Sequence, residues 1–291
     1  MSSLGLSGNS GSSAGTSSSF SLQGTKDFLQ SNSAVAKFAF LLLVIIIFVM
    51  VLRYGVALLN WIFSPSGNPH MIDGMIDARH MLVIQQDPSK DGAKPILRSN
   101  NQRDGIEFTW SVWIYIDDLD YGAGTFKHIF HKGNDDINYT QAPTGLNEPN
   151  NGPGLYITPN KNNLLVIMNT FDKIKEKIII EDVPLNKWIN VMIRVENTTV
   201  DCYINGTITK RHELSGVPFQ NYGNVYMSMN GGFSGYTSNL WYWNYALGTS
   251  HIQSIIDQGP NMTMVGSNMK ESQPRYFSLR WFFANTGSTQ E

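Results

Sequence analysis

The chain has 291 residues, a formal net charge of −2 and 42% hydrophobic residues, enough apolar material for one large domain with appendages. Its 21 Lys and Arg are dispersed and outnumbered by 23 Asp and Glu, which excludes nucleic acid as an electrostatic partner. The single cysteine, Cys202, excludes an internal disulfide and alternates with apolar neighbours, which favours a buried side chain over a reactive thiol.

Residues 1–33 are expected to form a flexible tail. The first 24 of them include ten Ser and five Gly, show no hydrophobic period and carry no charged side chain. Such a composition cannot bury enough apolar surface to offset the entropy lost on ordering. It is also not typical of a secretory signal, whose first residues are basic.

The stretch Phe38–Leu52 is an unbroken run of fifteen apolar residues. As a helix it would be about 22 Å long, and apolar residues on both sides extend it over 34–63 towards the roughly 30 Å of a hydrocarbon core. Lys37 and Arg53 could reach opposite interfaces, and Trp61 is typical of an interfacial aromatic belt. We predict a single-pass membrane anchor with a lipid bilayer as partner. A buried core helix is the alternative, and the basic residues do not orient the anchor.

A linker is expected at 64–79, a β-rich domain at 80–260 and a C-terminal extension at 261–291. The domain's apolar alternation is clearest along Ile106–Ile116. A short helix is predicted to end at Asp257. Besides a meander near residue 200, strands are predicted at His80–Ile84, Pro95–Leu97, Ile106–Ile116, Leu164–Met168, Lys177–Ile180 and Val225–Met229.

The meander is the strongest local prediction. Two apolar alternations within 186–204 lead into Asn205-Gly206, a dipeptide typical of a type I′ hairpin because both central residues need positive φ. Three antiparallel strands should therefore share one apolar face, covered by a second sheet, with Arg194 on an exposed face. The residues expected to be buried are Val191, Ile193, Val200 and Ile204.

Several segments resemble the laminin-G-like domains of the concanavalin A-like lectin/glucanase superfamily. They are FTWSVWIYI (Phe108–Ile116), IFHKGN (Ile129–Asn134), GLYI (Gly154–Ile157), the Tyr-Ile-Asn-Gly hairpin, and the closing strand and helix at Gly231–Ile256. The resemblance covers about 106–257 and implies an all-β fold, an antiparallel jelly-roll β-sandwich, preceded here by a single transmembrane α-helix. The superfamily hosts sugar binders, glycosidases, adhesion modules and structural domains, so the fold alone does not choose a function.

Candidate catalytic carboxylates are scarce. Retaining glycosidases need two carboxylates about 5 Å apart, and the related glucanases carry a Glu-x-Asp-x-x-Glu run on a strand. Here the acidic cluster is Asp117, Asp118 and Asp120, which falls in a predicted loop and contains no Glu. We therefore expect no catalytic residues and no enzymatic activity. The same cluster is the candidate calcium site, since some relatives use calcium, and no other cofactor is expected.

The histidines do not predict a metal site. His128 and His131 lie three residues apart on a predicted strand. Because successive strand residues point to opposite faces, a spacing of three should separate the two rings. We expect that they cannot chelate a metal together.

Three groups of side chains are candidates for binding. Trp241, Trp243 and Tyr245 alternate along one strand and form an aromatic face that could stack on sugars or anchor a protein, unless it fills the core between the sheets. The long loop at 135–153 is the expected ligand-contact loop, with Asn147 and Asn150 as candidate contacts. The third group, in the aromatic segment 275–283, is Tyr276, Trp281 and Phe282.

These features favour a non-enzymatic, membrane-anchored structural or scaffolding protein whose domain binds protein neighbours. This architecture, a membrane helix followed by a β-sandwich, resembles that of the membrane-associated minor structural proteins of large DNA virus particles. The resemblance implies a location between a virion's inner membrane and its capsid. A membrane-bound lectin-like adhesion module that binds glycans is the alternative. A glycan hydrolase is the third and weakest hypothesis.

Overall fold

The computed structural model describes residues 33–102 and 105–265. The chain consists of two compact units, and the first unit ends at Ser64. The expected tail lies outside the described residues except for Ser33. The aromatic candidates Tyr276, Trp281 and Phe282 also lie outside them.

The first unit is helix α1 (Ala34–Phe63). It has 30 residues, so it is about 45 Å long, and its mean hydropathy reaches 3.1 over an 18-residue window. It is apolar on all sides, and only 6% of that window is buried, which contradicts the alternative of a core helix. The helix is thus long and apolar enough to cross a membrane. The five positions named for the anchor, all exposed, are Lys37, Phe38, Leu52, Arg53 and Trp61.

The second unit contains thirteen strands and one further α-helix within the described residues. The helix α2 (Thr249–Gln258) closes the unit. The strands are β1 (His70–Asp77), β2 (Leu82–Ile84), β3 (Asn100–Gln102), β4 (Gly105–Ile116), β5 (Lys127–Gly133), β6 (Gly154–Ile157), β7 (Leu164–Met168), β8 (Glu176–Ile180), β9 (Trp188–Glu196), β10 (Thr199–Ile204), β11 (Thr207–Glu213), β12 (Asn224–Met227) and β13 (Gly235–Trp243).

These strands form two antiparallel sheets packed face to face. Sheet A has the order β1-β13-β4-β9-β10-β11, with β3 paired to β4. Sheet B has the order β2-β12-β5-β6-β7-β8. Because many neighbours in each sheet are distant in sequence, the fold is the predicted β-sandwich and not a simple meander.

The predicted meander is confirmed in β9, β10 and β11. Asn205 and Gly206 have φ of 48° and 79°, as a type I′ turn requires. The face turned towards sheet B buries Val191, Ile193 and Val200, and Ile204 packs partly buried against them. Cys202 lies among them, and burial raises the pKa of its thiol to about 12, so it is unreactive there.

The outer face of sheet A is not exposed around β9, contrary to expectation. Met192, Leu247 and Ile252 are at most 2% exposed, because α2 and the segment before it pack over this face. The Arg194 side chain is only 17% exposed. Its Nε–H donates to the Leu247 carbonyl at 2.9 Å, and its guanidinium pairs with Asp201 at 3.3 Å. Strand alternation identified two faces but did not reveal that a helix covers the second.

The domain boundary also differs from expectation. The segment 64–79, expected to be a linker, contains β1, which pairs with β13 and buries Met71 and Ile72. The register between β1 and β13 shifts twice, so the strand lacks the strict period of two that sequence reasoning needs. Residues 95–97, expected to be a strand, lie in an irregular segment that joins β2 to β3.

Candidate functional site

The outer face of sheet A carries a groove beside α2, which we call the tryptophan groove. Its floor is formed by Trp113 on β4 and by Trp241 and Trp243 on β13, and it encloses about 210 Å³. The helix supplies the opposite wall. The remaining lining residues are Asn239, His251, Ser254, Ile255, Gln258 and Gly259.

The rings of the groove stack in a row. His70 lies on Trp241 with ring centroids 3.8 Å apart and planes 9° apart, and Trp241 lies 5.6 Å from Trp243. His251 meets Trp243 edge-on at 5.7 Å. Trp243 is 5% exposed, whereas Trp241 is only partly buried. The row therefore holds Trp241 in a fixed orientation and leaves part of it open to a ligand.

A second aromatic row crosses the same face two residues further along β4. Trp188, Tyr115 and Tyr236 occupy facing positions on β9, β4 and β13. Their rings lie 5.6 Å and 6.4 Å apart, and all three are partly exposed. Because alternate residues of one strand share a face, Tyr115 lies beside Trp113, and the aromatic surface continues beyond the groove.

The groove also presents hydrogen-bonding groups. Asn239 and Gln258 offer amides, Ser254 offers a hydroxyl and His251 offers an imidazole, all beside the tryptophan rings. Flat apolar rings bordered by such groups suit a ligand that has an apolar face and polar edges.

Two of the three aromatic candidates from the sequence line this groove. Trp241 and Trp243 point away from sheet B, so the interpretation that they fill the core between the sheets is wrong. Leu240 and Tyr242 fill that core instead. Tyr245 packs partly buried beside the same outer cluster but does not line the groove. The alternation showed which residues share a face without showing which face is inside.

The long loop at 135–153 covers the outer face of sheet B. Leu146 packs there on Tyr156, Leu165 and Ile167. The candidate Asn147 is fully buried, and its amide donates to Asn134 Oδ1 at 3.2 Å and to the Asn150 carbonyl at 2.8 Å. Asn147 thus holds the loop together. Asn150 is partly exposed, and it does not line the tryptophan groove.

The expectation that His128 and His131 point to opposite faces is wrong. The register between β5 and β6 shifts between His128 and Phe130, which inserts one residue and brings both imidazoles to the same side. His128 Nε2 and His131 Nδ1 lie 2.6 Å apart, and both residues are fully buried. Burial lowers the pKa of His128 well below its usual value and that of His131 to about 4.

Comparison with known proteins identifies the family. A model of the concanavalin A-like lectin/glucanases superfamily matches residues 91–253, more than half of the chain. The chain belongs to this superfamily. The matched region contains both sheets apart from β1 and β2 and includes Trp113, Trp241 and Trp243. No curated protein matches the sequence.

Two solved binding domains are similar to this chain at low sequence identity. The binding domain of Paraclostridial Mosquitocidal Protein 1 has 14% identity and a TM-score of 0.45, over 67% of this chain and 46% of that one. The botulinum neurotoxin serotype D ligand-binding domain in complex with N-acetylneuraminic acid has 14% identity and a TM-score of 0.44, over 62% and 40%. The chain spans less than half of each of these structures.

The calcium candidates Asp117, Asp118 and Asp120 lie in the loop that follows β4. No group of three His, Cys, Asp or Glu side chains converges on a metal-sized space among residues 33–102 and 105–265. Asp118 accepts the Tyr121 N–H at 3.0 Å, and this hydrogen bond is the main cause of its lowered pKa. It therefore stabilises the turn that contains Asp117 and Asp120.

Two glutamates that are far apart in the sequence are neighbours in the structure. Glu107 on β4 and Glu196 on β9 face each other across the outer side of sheet A. Glu196 is exposed and paired with Arg194 at 2.6 Å, and Glu107 accepts the Ala246 N–H at 3.4 Å. Neither residue lines the tryptophan groove.

Proposed function

We propose that this chain is a membrane-anchored, non-catalytic binding protein that recognises carbohydrate through the tryptophan groove. The observation that carries the proposal is the groove itself, in which tryptophan rings lie beside amide and hydroxyl groups. A pyranose ring presents C–H groups on its faces and hydroxyls around its edge. The negatively polarised face of an indole attracts the C–H groups, while the polar rim can exchange hydrogen bonds with the hydroxyls.

The anchor follows from α1. Its exposed apolar surface supports the proposal, because an apolar patch of this size is unfavourable in water and favourable in a hydrocarbon core. On this proposal the helix spans a bilayer once and displays the sandwich domain at the membrane surface. A tethered domain finds surface-bound glycans at high effective concentration, so a modest affinity at one groove would suffice.

The test is glycan-array binding by the full chain in lipid nanodiscs, with empty nanodiscs as blank. Trp241→Ala should reduce the signal about tenfold or more, since it removes a central, pre-oriented ring. Tyr139→Ala, which removes an aromatic side chain that is 66% exposed outside the groove, is the matched control and should bind as the unmodified chain does. Absence of any glycan signal, or a signal that Trp241→Ala leaves unchanged, would contradict the proposal.

A second candidate function is a tether between the membrane and neighbouring proteins, as between the inner membrane and capsid of a virus particle. It is favoured by an exposed apolar patch on the β7–β8 and β11–β12 loops, which we call the loop patch. Its members and their exposed fractions are Phe171 (71%), Ile174 (59%), Val217 (40%) and Phe219 (40%). Such a patch is typical of a protein interface.

The loop patch is held in place. Phe171 and Phe219 meet edge-on at 5.2 Å, and the Phe171 N–H donates to the Val217 carbonyl at 3.1 Å. The test is the double variant Phe171→Ser, Phe219→Ser in co-purification from detergent extracts of the source membrane or particle. Specific partners that are lost in this variant and retained in Trp241→Ala would support the tether. Partners retained in both variants would contradict it.

A further inference from the structure

A crevice opens between the two sheets, at the edge crossed by the segment that joins β2 to β3. It encloses about 360 Å³, within the usual size range of small-molecule sites, and it is distinct from the tryptophan groove. Its floor is made of core aromatic rings from sheet A: Phe108, Trp110 and Tyr242. The rim is polar and includes Gln86, Asn224 and the 79% exposed Tyr222.

Lys132 of β5 lines this crevice from sheet B and is only 8% exposed. Its Nζ donates to the carbonyls of Asn221 and Gly223, both at 2.8 Å. An ammonium has three donors, so one N–H has no protein acceptor among the described residues. Burial lowers the pKa of Lys132 to about 8, so the side chain is still mostly charged at neutral pH.

Lys132 has no carboxylate counter-ion within the part of the chain that the structure describes. Asp87 also lines the crevice, but it is exposed and accepts the Ser89 N–H at 2.9 Å. A second cation, Arg98, lies at the rim over the Tyr222 ring at 5.8 Å. Buried charges in proteins are normally paired, so the crevice is electrostatically complementary to an anion.

We propose that this crevice binds a small amphipathic carboxylate, whose flat apolar body lies against Phe108, Trp110 and Tyr242 and whose carboxylate accepts a hydrogen bond from Lys132 Nζ. The aromatic floor recognises the body, and the Lys132 ammonium recognises the head group. A neutral sugar would leave the lysine without a counter-ion, and a simple inorganic anion would fill only part of the 360 Å³ crevice. The crevice is thus suited to a ligand class different from that of the tryptophan groove.

The test compares two probes of nearly the same shape, one with a charged carboxylate and one with a neutral amide. Isothermal titration calorimetry on the full chain in lipid nanodiscs, with empty nanodiscs as blank, would use 2-naphthoate and the uncharged 2-naphthamide. We expect 2-naphthoate to bind about tenfold or more tightly, the size expected for one hydrogen bond between charged groups. Equal affinities, or no detectable heat with 2-naphthoate at millimolar concentration, would overturn the proposal.

Variants test which residues cause the difference in affinity between the two probes. Lys132→Met should reduce the affinity for 2-naphthoate to about that of 2-naphthamide, and Lys132→Arg should restore part of it. Trp241→Ala should change neither affinity, which separates the crevice from the tryptophan groove. If Lys132→Met does not fold, the two probes on the unmodified chain still decide the question. A Lys132→Met variant that folds and binds 2-naphthoate as tightly as the unmodified chain would contradict the assigned role of the lysine.

Discussion

His128 donates a hydrogen bond from Nε2 to Nδ1 of His131 on the covered outer face of sheet B, beside Tyr156 and Tyr226. The direction follows from the neighbours, because the Met229 N–H donates to His128 Nδ1 at 3.0 Å, so in the neutral ring the proton must lie on Nε2. His131 Nε2 then donates to the Asn134 carbonyl at 2.7 Å. Both rings must be neutral in this chain of hydrogen bonds, since a second proton on either would have no acceptor.

This pair predicts that the domain loses stability in mild acid. In the unfolded chain both histidines take up a proton near pH 6.5, whereas in the folded state the pKa of His131 is about 4 and that of His128 is well below its usual value. The unfolded state therefore binds more protons below pH 6.5, and the free energy of unfolding falls as the pH falls. At about 1.4 kcal/mol per pH unit, His131 alone should remove roughly 2–3 kcal/mol by pH 4.5.

Urea unfolding of the fragment 65–291 at pH 7.5, 6.5, 5.5 and 4.5 measures this loss. His131→Gln should flatten the pH dependence, and His80→Gln, which alters an imidazole that is 83% exposed, should not. His128 and His70, whose pKa values are also lowered mainly by burial, should leave part of the slope in His131→Gln. An unchanged slope in His131→Gln would show that the pair is not the source.

Because both faces of sheet A are covered, we predict that substitutions at two adjacent residues of β9 cause similar losses of stability. Ile193→Ala and Met192→Ala should each cost on the order of 2–5 kcal/mol in unfolding free energy, because each leaves a cavity, one between the sheets and one under α2. Ile208→Ala on β11, where the side chain is 47% exposed, is the control and should cost within about 0.5 kcal/mol. If Met192→Ala costs no more than this control, α2 does not cover the sheet.

The position of β1 predicts where the domain can be cut. A fragment starting at residue 65 should be folded, whereas one starting at residue 80, the expected boundary, should be unfolded or aggregated. The shorter fragment lacks the buried Met71 and Ile72 and leaves one edge of β13 unpaired. Circular dichroism and size-exclusion chromatography of the two fragments decide this, and equal stability would show that β1 is dispensable.

The anchor predicts how the chain fractionates. The full chain should stay with membranes after carbonate extraction and ultracentrifugation, because α1 needs about 30 Å of hydrocarbon around it. Deleting 34–63 should release the protein into the supernatant. A full chain that appears in the supernatant would contradict the membrane-spanning role.

Absence of catalysis is a separate prediction. Glu107 and Glu196 face each other, but neither lines the tryptophan groove and Glu196 pairs with Arg194, so neither is placed to act on a sugar bound there. Incubation with β-glucans and galactans should release no reducing sugar. Release that is abolished in Glu107→Gln would contradict the non-enzymatic proposal and identify the acid.

Local patterns in the sequence determined much of the fold. The alternation in 106–116 and 186–204, the Asn205-Gly206 turn and the apolar run in 34–63 predicted the sandwich strands, the hairpin and the long helix. These features depend on residues close in the chain, whose side-chain spacing and backbone preferences act before any tertiary contact forms. Trp113 and Tyr115 could also have been found, since the alternation of β4 sets them opposite Trp110 and Val112.

Only the tertiary structure decided which face of each strand is covered and which distant residues meet. Trp113 and Trp241 lie 128 positions apart and share a groove because β4 and β13 pair, and α2 closes that groove from a third place in the chain. The shifted register that brings His128 onto His131 is likewise a property of the paired strands. The crevice at Lys132 exists only between assembled sheets. Each of these depends on long-range packing, which local spacing does not encode.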